Sequence, residues 1–137
     1  MKAVLGLGEE MKGDDGVGKY IIDSLKKRGS SCLLVYSSVP ENAFNKLRGK
    51  NIDELTIIDA ADFGGKPGEI KRVADFKEKS RLSTHSTSIP KLVRYMKESI
   101  GISDIVIILI QAKSLEFGAE MSIEVKKAGD EIVRSFP

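Results

Sequence analysis

The sequence holds one cysteine, Cys32, and one histidine, His85, in 137 residues. A single cysteine excludes an intrachain disulfide, and its place at the head of an apolar run reads as core filling rather than as a nucleophile. A single histidine means that any chemistry requiring imidazole must use His85. No apolar run approaches the roughly 20 residues of a membrane span. Repeats, low-complexity segments and blocks of like charge are absent. Lys and Arg number 22 against 20 Asp and Glu, a formal +2, so nothing suggests binding to nucleic acid or a membrane surface. Met1-Lys2 leads straight into a strand-like run rather than a signal segment, and with so little cysteine a cytoplasmic setting is expected. There is no Gly-x-Ser-x-Gly elbow, no His-Glu-x-x-His helix and no Gly-Lys-Ser/Thr, which removes the common serine hydrolase, zincin and P-loop templates.

What is present is 41% hydrophobic and 31% charged residues, enough for one domain spanning residues 1–137 with one sizeable core. Strand-like and helix-like runs alternate. Ala3-Val4-Leu5 reads as a buried first strand, followed by a glycine-rich loop from Gly6 to Gly18. A helix follows with Val17, Ile21, Ile22 and Leu25 on one face, Lys26-Lys27-Arg28 suiting its C-terminal dipole, and Gly29 as its stop. Cys32 to Tyr36 is a second buried strand. A short helix begins near Pro40 and ends near Gly49. Leu55 to Asp59 is a third strand, ending at the carboxylate. Glu69 to Val73 alternates as a half-exposed edge strand would, with antiparallel pairing possible. The polar stretch Arg81 to Ser88 offers N-caps for a helix carrying Leu92, Val93, Met96 and Ile100 on one side. Asp104 to Ile110, the most apolar run, is assigned the sheet centre. A last helix, Ser122 to Arg134, turns Ile123, Ala128, Ile132 and Val133 toward the sheet. The expected fold is a three-layer α/β sandwich with a mostly parallel central sheet and one antiparallel edge strand.

The glycine loop departs from a dinucleotide fingerprint, since Met11 stands where the third glycine should be and Tyr36-Ser37-Ser38 replaces the acidic ribose ligand. Asp14 and Asp15 would repel phosphates. A cation suits this loop better. Asp15 after the first strand, Asp59 on the third and His85 before a helix can converge on one edge of the sheet. Two carboxylates and an imidazole suit zinc or nickel better than calcium. Each residue also has a plainer reading: Asp14 or Asp15 as a helix cap, Asp59 bonded to a loop amide, His85 as an exposed or capping residue.

The segment Gly8-Glu9-Glu10-Met11-Lys12-Gly13-Asp14-Asp15-Gly16-Val17-Gly18 resembles the signature loop of the nickel-iron hydrogenase maturation endopeptidases. So do Val39-Pro40-Glu41-Asn42, Ile57 to Gly64, Lys66 to Ile70 and Ser83-Thr84-His85, in the same order over nearly the whole chain. The similarity is greatest to the formate hydrogenlyase and energy-converting branch. The resemblance implies that Asp15, Asp59 and His85 bind nickel and carry out the cleavage. It implies a hydrogenase large-subunit precursor as partner, its nickel serving as the signal for removal of a C-terminal extension. The nickel would come with the substrate, while zinc or cadmium could occupy the same donors. Water activation by the metal and base catalysis by a carboxylate are both open. So is a non-catalytic nickel carrier for hydrogenase assembly. One position departs from the pattern: the family's asparagine is Glu9 here, and a carboxylate cannot donate as an amide does.

Overall fold

A computed structural model describes residues 1–73, the backbone pairing of Ser83 and Thr84, and residues 89–137. Among the described residues, six strands form one sheet: β1 (Lys2–Leu7), β2 (Leu33–Ser37), β3 (Glu54–Asp62), β4 (Ile70–Val73), β5 (Ser83–Thr84) and β6 (Asp104–Gln111). The strand order is β2-β1-β3-β6-β4, with the two-residue β5 antiparallel to the end of β3. The pairs β1/β2, β1/β3 and β3/β6 are parallel, and β4 runs antiparallel to β6. The antiparallel edge expected from the Glu69 to Val73 alternation is therefore present. Lys71 and Arg72 are exposed on it, where charge discourages pairing with another sheet.

Each face of the sheet is covered, as parallel strands require. Helices α1 (Val17–Lys27) and α4 (Ile123–Ser135) lie on one face, where Ile21, Ile22, Leu25, Val125 and Ile132 meet Val4, Ile58 and Ile108. Helices α2 (Ala43–Leu47) and α3 (Ile89–Tyr95) cover the other, packing Leu47, Leu92 and Val93 on Leu5, Ile57 and Leu109. Burying a side chain of this size stabilises by about 1.5–3 kcal/mol, so the alternation along β1, β3 and β6 supplies both cores at once. A π turn, Met96–Ile100, extends α3 and keeps Met96 buried.

Several sequence expectations need correction. The second strand is not buried throughout: β2 forms a sheet edge, and Leu33, Leu34 and Tyr36 are half-buried. β6 is interior, but β3 holds the middle of the path. β3 does not stop at Asp59; it continues through Ala60 and Ala61 to Asp62, with both alanines buried. Ile123 does not face the sheet. It is 67% exposed, and Val125 and Gly129 take places in the α4 contact.

The two helices on the first face are joined near the surface by the Tyr20 hydroxyl, which donates to Asp130 at 2.5 Å. That bond, followed by burial, raises the Tyr20 pKa above its usual value. Because the folded value lies above the unfolded one, the contribution is complete below about pH 10 and disappears as pH rises through the folded value. Tyr20→Phe is expected to lose roughly 0.5–1 kcal/mol at neutral pH. In thermal melts, the gap between wild type and variant should be constant from pH 7 to 9 and shrink above about pH 10; a gap that persists there would assign it to packing.

Candidate functional site

The connection from β1 through α1 leads to β2 on one side, whereas the chain then crosses to β3 on the other side of β1. Such a reversal leaves a crevice beyond the carboxyl ends of the strands. The sequence-predicted Asp15 follows β1 and Asp59 lies on β3, the two strands that border it. Asp15 sits in a 3-10 turn, Gly13–Gly16, between β1 and α1. Asp59 lies within β3 and pairs in register with Leu109 of β6. By alternation it shares the α2/α3 face with Ile57 and Ala61. The side chains of both acids are almost inaccessible, at 3% and 2% exposure.

The Asp15 carboxylate is set by the glycine loop. Its Oδ2 accepts from the Glu9 backbone N–H at 2.7 Å, and the Asp15 N–H donates to the Lys12 carbonyl at 3.0 Å. Gly8 makes this loop possible, because its φ of +123° is one that side-chain-bearing residues rarely adopt and a Cβ there would come within 2.1 Å of the Asp15 carbonyl oxygen. The contact made at position 9 is thus a backbone one, and the Glu9 side chain is exposed. An amide side chain is not needed at that position to hold Asp15.

Tyr36 closes the loop from β2, its hydroxyl donating to the Gly8 carbonyl at 2.7 Å. Burial raises the Tyr36 pKa, and Glu9, Glu10 and Asp15 add to the rise while Lys19 opposes it. The phenol therefore remains a neutral donor at physiological pH. Lys19 is itself held cationic, chiefly by its 2.7 Å hydrogen bond to Asp23.

Asp14 is neither a cap for α1 nor directed as Asp15 is. Its carboxylate accepts from Lys113 N at 2.7 Å, Ser114 N at 3.1 Å, Ser122 N at 2.6 Å and the Ser122 hydroxyl at 3.0 Å. On the far side of Asp59, Gln111 organises the chain leaving β3. Its side-chain oxygen accepts from Phe63 N and Gly65 N, and its amide donates to Asp62 and to the Ala112 carbonyl. The Gln111 bond, then the Gly64 N–H, lowers the Asp62 pKa. Sequence reasoning missed both residues in these roles. The adjacent acids Asp14 and Asp15 signalled a special loop, but their side-chain directions depend on partners about a hundred residues away.

His85, the third sequence candidate, lies outside the described residues. Among the described residues, no three His, Cys, Asp or Glu side chains are grouped to hold a metal ion. Asp15 and Asp59 supply carboxylate oxygens, which suit a divalent cation, and an imidazole would suit a borderline metal better than oxygen donors alone. No helix among the described residues is long and apolar enough to cross a membrane.

Comparison with known proteins places these features in a group. A family model described as hydrogenase maturation protease matches residues 21–136. The hydrogenase 3 maturation protease of Escherichia coli (strain K12) is 30% identical over 129 residues, which span 91% of this chain and 81% of that protein. A putative hydrogenase maturation protease of Methanocaldococcus jannaschii is 29% identical over 143 residues, covering 96% and 83%. The crystal structure of a [NiFe] hydrogenase maturation protease, HycI, from Thermococcus kodakarensis KOD1 superposes with a TM-score of 0.84 at 27% identity, over 98% of this chain and 88% of that one.

Proposed function

The chain belongs to the hydrogenase maturation protease family and is an endopeptidase, and from that premise we propose that it removes the C-terminal extension of a nickel-loaded [NiFe] hydrogenase large-subunit precursor. The observation that carries this reading is the pair of buried carboxylates, Asp15 in the turn that follows β1 and Asp59 on the neighbouring β3, at the crevice where the strand order reverses. Buried carboxylates are costly to a fold, and this place in an open α/β sheet is where ligands bind.

In this reading Asp15, Asp59 and His85 are the ligands for the precursor's own nickel, which is part of the substrate. The metal then acts as a check that cofactor insertion is complete. A metal so placed can polarise a carbonyl or acidify a water. The chain's own contribution is positional. The Glu9 N–H fixes one Asp15 oxygen, and a carboxylate at the crevice can accept the proton released by an attacking water.

The test is incubation of the purified protein with a co-expressed large-subunit precursor, prepared with and without nickel and followed by intact mass. Loss of a C-terminal peptide from the nickel-loaded form alone is the expected outcome. Cleavage of both forms would discard the nickel check, and cleavage of neither would discard the pairing with that precursor.

A further inference from the structure

We infer that Asp14 is a positioning residue for this reaction: its carboxylate sets the distance between Asp15 and Asp59 by tying the glycine loop to the chain that leaves β6. The inference rests on the proposed roles of those two acids and adds to them a residue that touches neither substrate nor metal.

The parallel ladder between β1 and β3 ends at the pair Gly6 and Ile58. Beyond it, no β1/β3 ladder bond carries the glycine loop relative to Asp59. Asp14 supplies a connection. Its N–H donates to the Ser114 carbonyl at 2.9 Å, while its carboxylate collects Lys113 N, Ser114 N and both donors of Ser122. The preceding residue, Ala112, donates its N–H to the Ala61 carbonyl at 2.9 Å, two residues past Asp59 on β3. A continuous path therefore runs from Asp15 to Asp14, to Lys113 and Ala112, and across to β3.

The same carboxylate closes both ends of the Lys113–Ser122 loop, so the loop enters and leaves through one point. Asp14 has 0% exposure, and every group bonded to its carboxylate is a donor. The Ser122 hydroxyl is constrained further, since its oxygen also accepts from Val125 N at the start of α4. An ionised carboxylate satisfies this set of donors. An amide cannot, because its nitrogen would face backbone N–H groups whichever way it turned.

Asp14→Asn is therefore expected to leave a folded protein whose two acids are no longer held at the productive spacing. On nickel-loaded precursor at a temperature well below melting, kcat should fall about tenfold or more with KM changed less than about threefold. Titration calorimetry with Ni2+ alone should show affinity weakened about tenfold relative to wild type. A lower melting temperature with kcat and Ni2+ affinity unchanged would make Asp14 merely structural and overturn the inference. If Asp14→Asn does not fold, Ser122→Ala removes one of the four bonds and carries the test. A two- to fivefold fall in kcat is then expected, roughly, for one bond of the set, and unchanged kcat overturns the proposal. Asp15→Asn in the same assays separates the two readings. Full cleavage and Ni2+ binding by that variant would remove the premise, whereas an inactive Asp15→Asn beside a fully active Asp14→Asn would remove only the positioning role.

Discussion

Asp15→Asn and Asp59→Asn should each reduce cleavage of nickel-loaded precursor by at least about a hundredfold while leaving the fold intact. Both substitutions preserve side-chain size, so neither opens a cavity. An asparagine in place of Asp15 retains an oxygen that can accept from the Glu9 N–H, the contact that now fixes the carboxylate. What disappears is the negative charge, and with it the ability to bind a cation strongly or take up a proton. Both positions are buried and keep their packing volume in the variants, so melting temperatures close to that of wild type are expected. A time course by intact mass, run beside thermal melts, separates the two properties. Wild-type cleavage by either variant would return that acid to a structural role. If both act on one bound group, the double substitution should be little worse than either single one, whereas multiplicative losses would indicate independent tasks.

The separation of activity from fold follows the line between what periodicity in the sequence shows and what it does not. Strands β1, β3 and β6 announce themselves as apolar runs because both faces of the sheet are covered. The half-exposed β4 announces itself by alternation. Asp59 misled the strand assignment for a physical reason: an acid in a buried run is normally a terminus, yet β3 passes through it to Asp62. Pairing with β6, which runs on through Ala61, overrides the local pattern there. The Ile123 error has a different origin. The residue stands at the first position of α4, whose buried set Val125, Ala128, Gly129, Ile132 and Val133 defines a face that excludes it.

The site was legible only in part for a related reason. That Asp14-Asp15 formed a special loop followed from local composition. The structural role of Asp14 did not, because that acid is claimed by Lys113, Ser114 and Ser122. The Gln111 hub depends on the β3/β6 register in the same way. Long-range hydrogen bonds of single side chains leave no periodicity, and β5 is too short to leave one.

Gly18→Ala is expected to be among the most destabilising single-methyl additions in the chain, and the reason again lies between β1 and the helix that follows. A Cβ at Gly18 would meet the Leu7 carbonyl oxygen at 2.3 Å and the Leu7 nitrogen at 2.8 Å. Those atoms belong to backbone, and Leu7 is held in the parallel ladder opposite Ser37, so neither can rotate aside as a side chain could. Alanine would gain about 1 kcal/mol in helix propensity over glycine. Overpacking typically costs about 1–3 kcal/mol, occasionally more, and contact with a fixed backbone belongs at the upper end. A net loss of roughly 2 kcal/mol corresponds to a fall of about 6–10 °C in Tm for a domain of this size. Gly129→Ala is the control. It has the same propensity gain within a helix, but its Cβ would approach only the Tyr20 ring at 3.2 Å and the Val17 side chain at 3.3 Å, which can yield. Its Tm should remain within about 3 °C of wild type. Equal shifts in the two variants would mean that helix-interior propensity, rather than the strand contact, governs position 18. A selective loss at Gly18 would show that α1 rests directly on the end of β1. Any displacement there is carried into the 3-10 turn that holds Asp15, so activity per folded molecule should fall in Gly18→Ala and remain unchanged in Gly129→Ala.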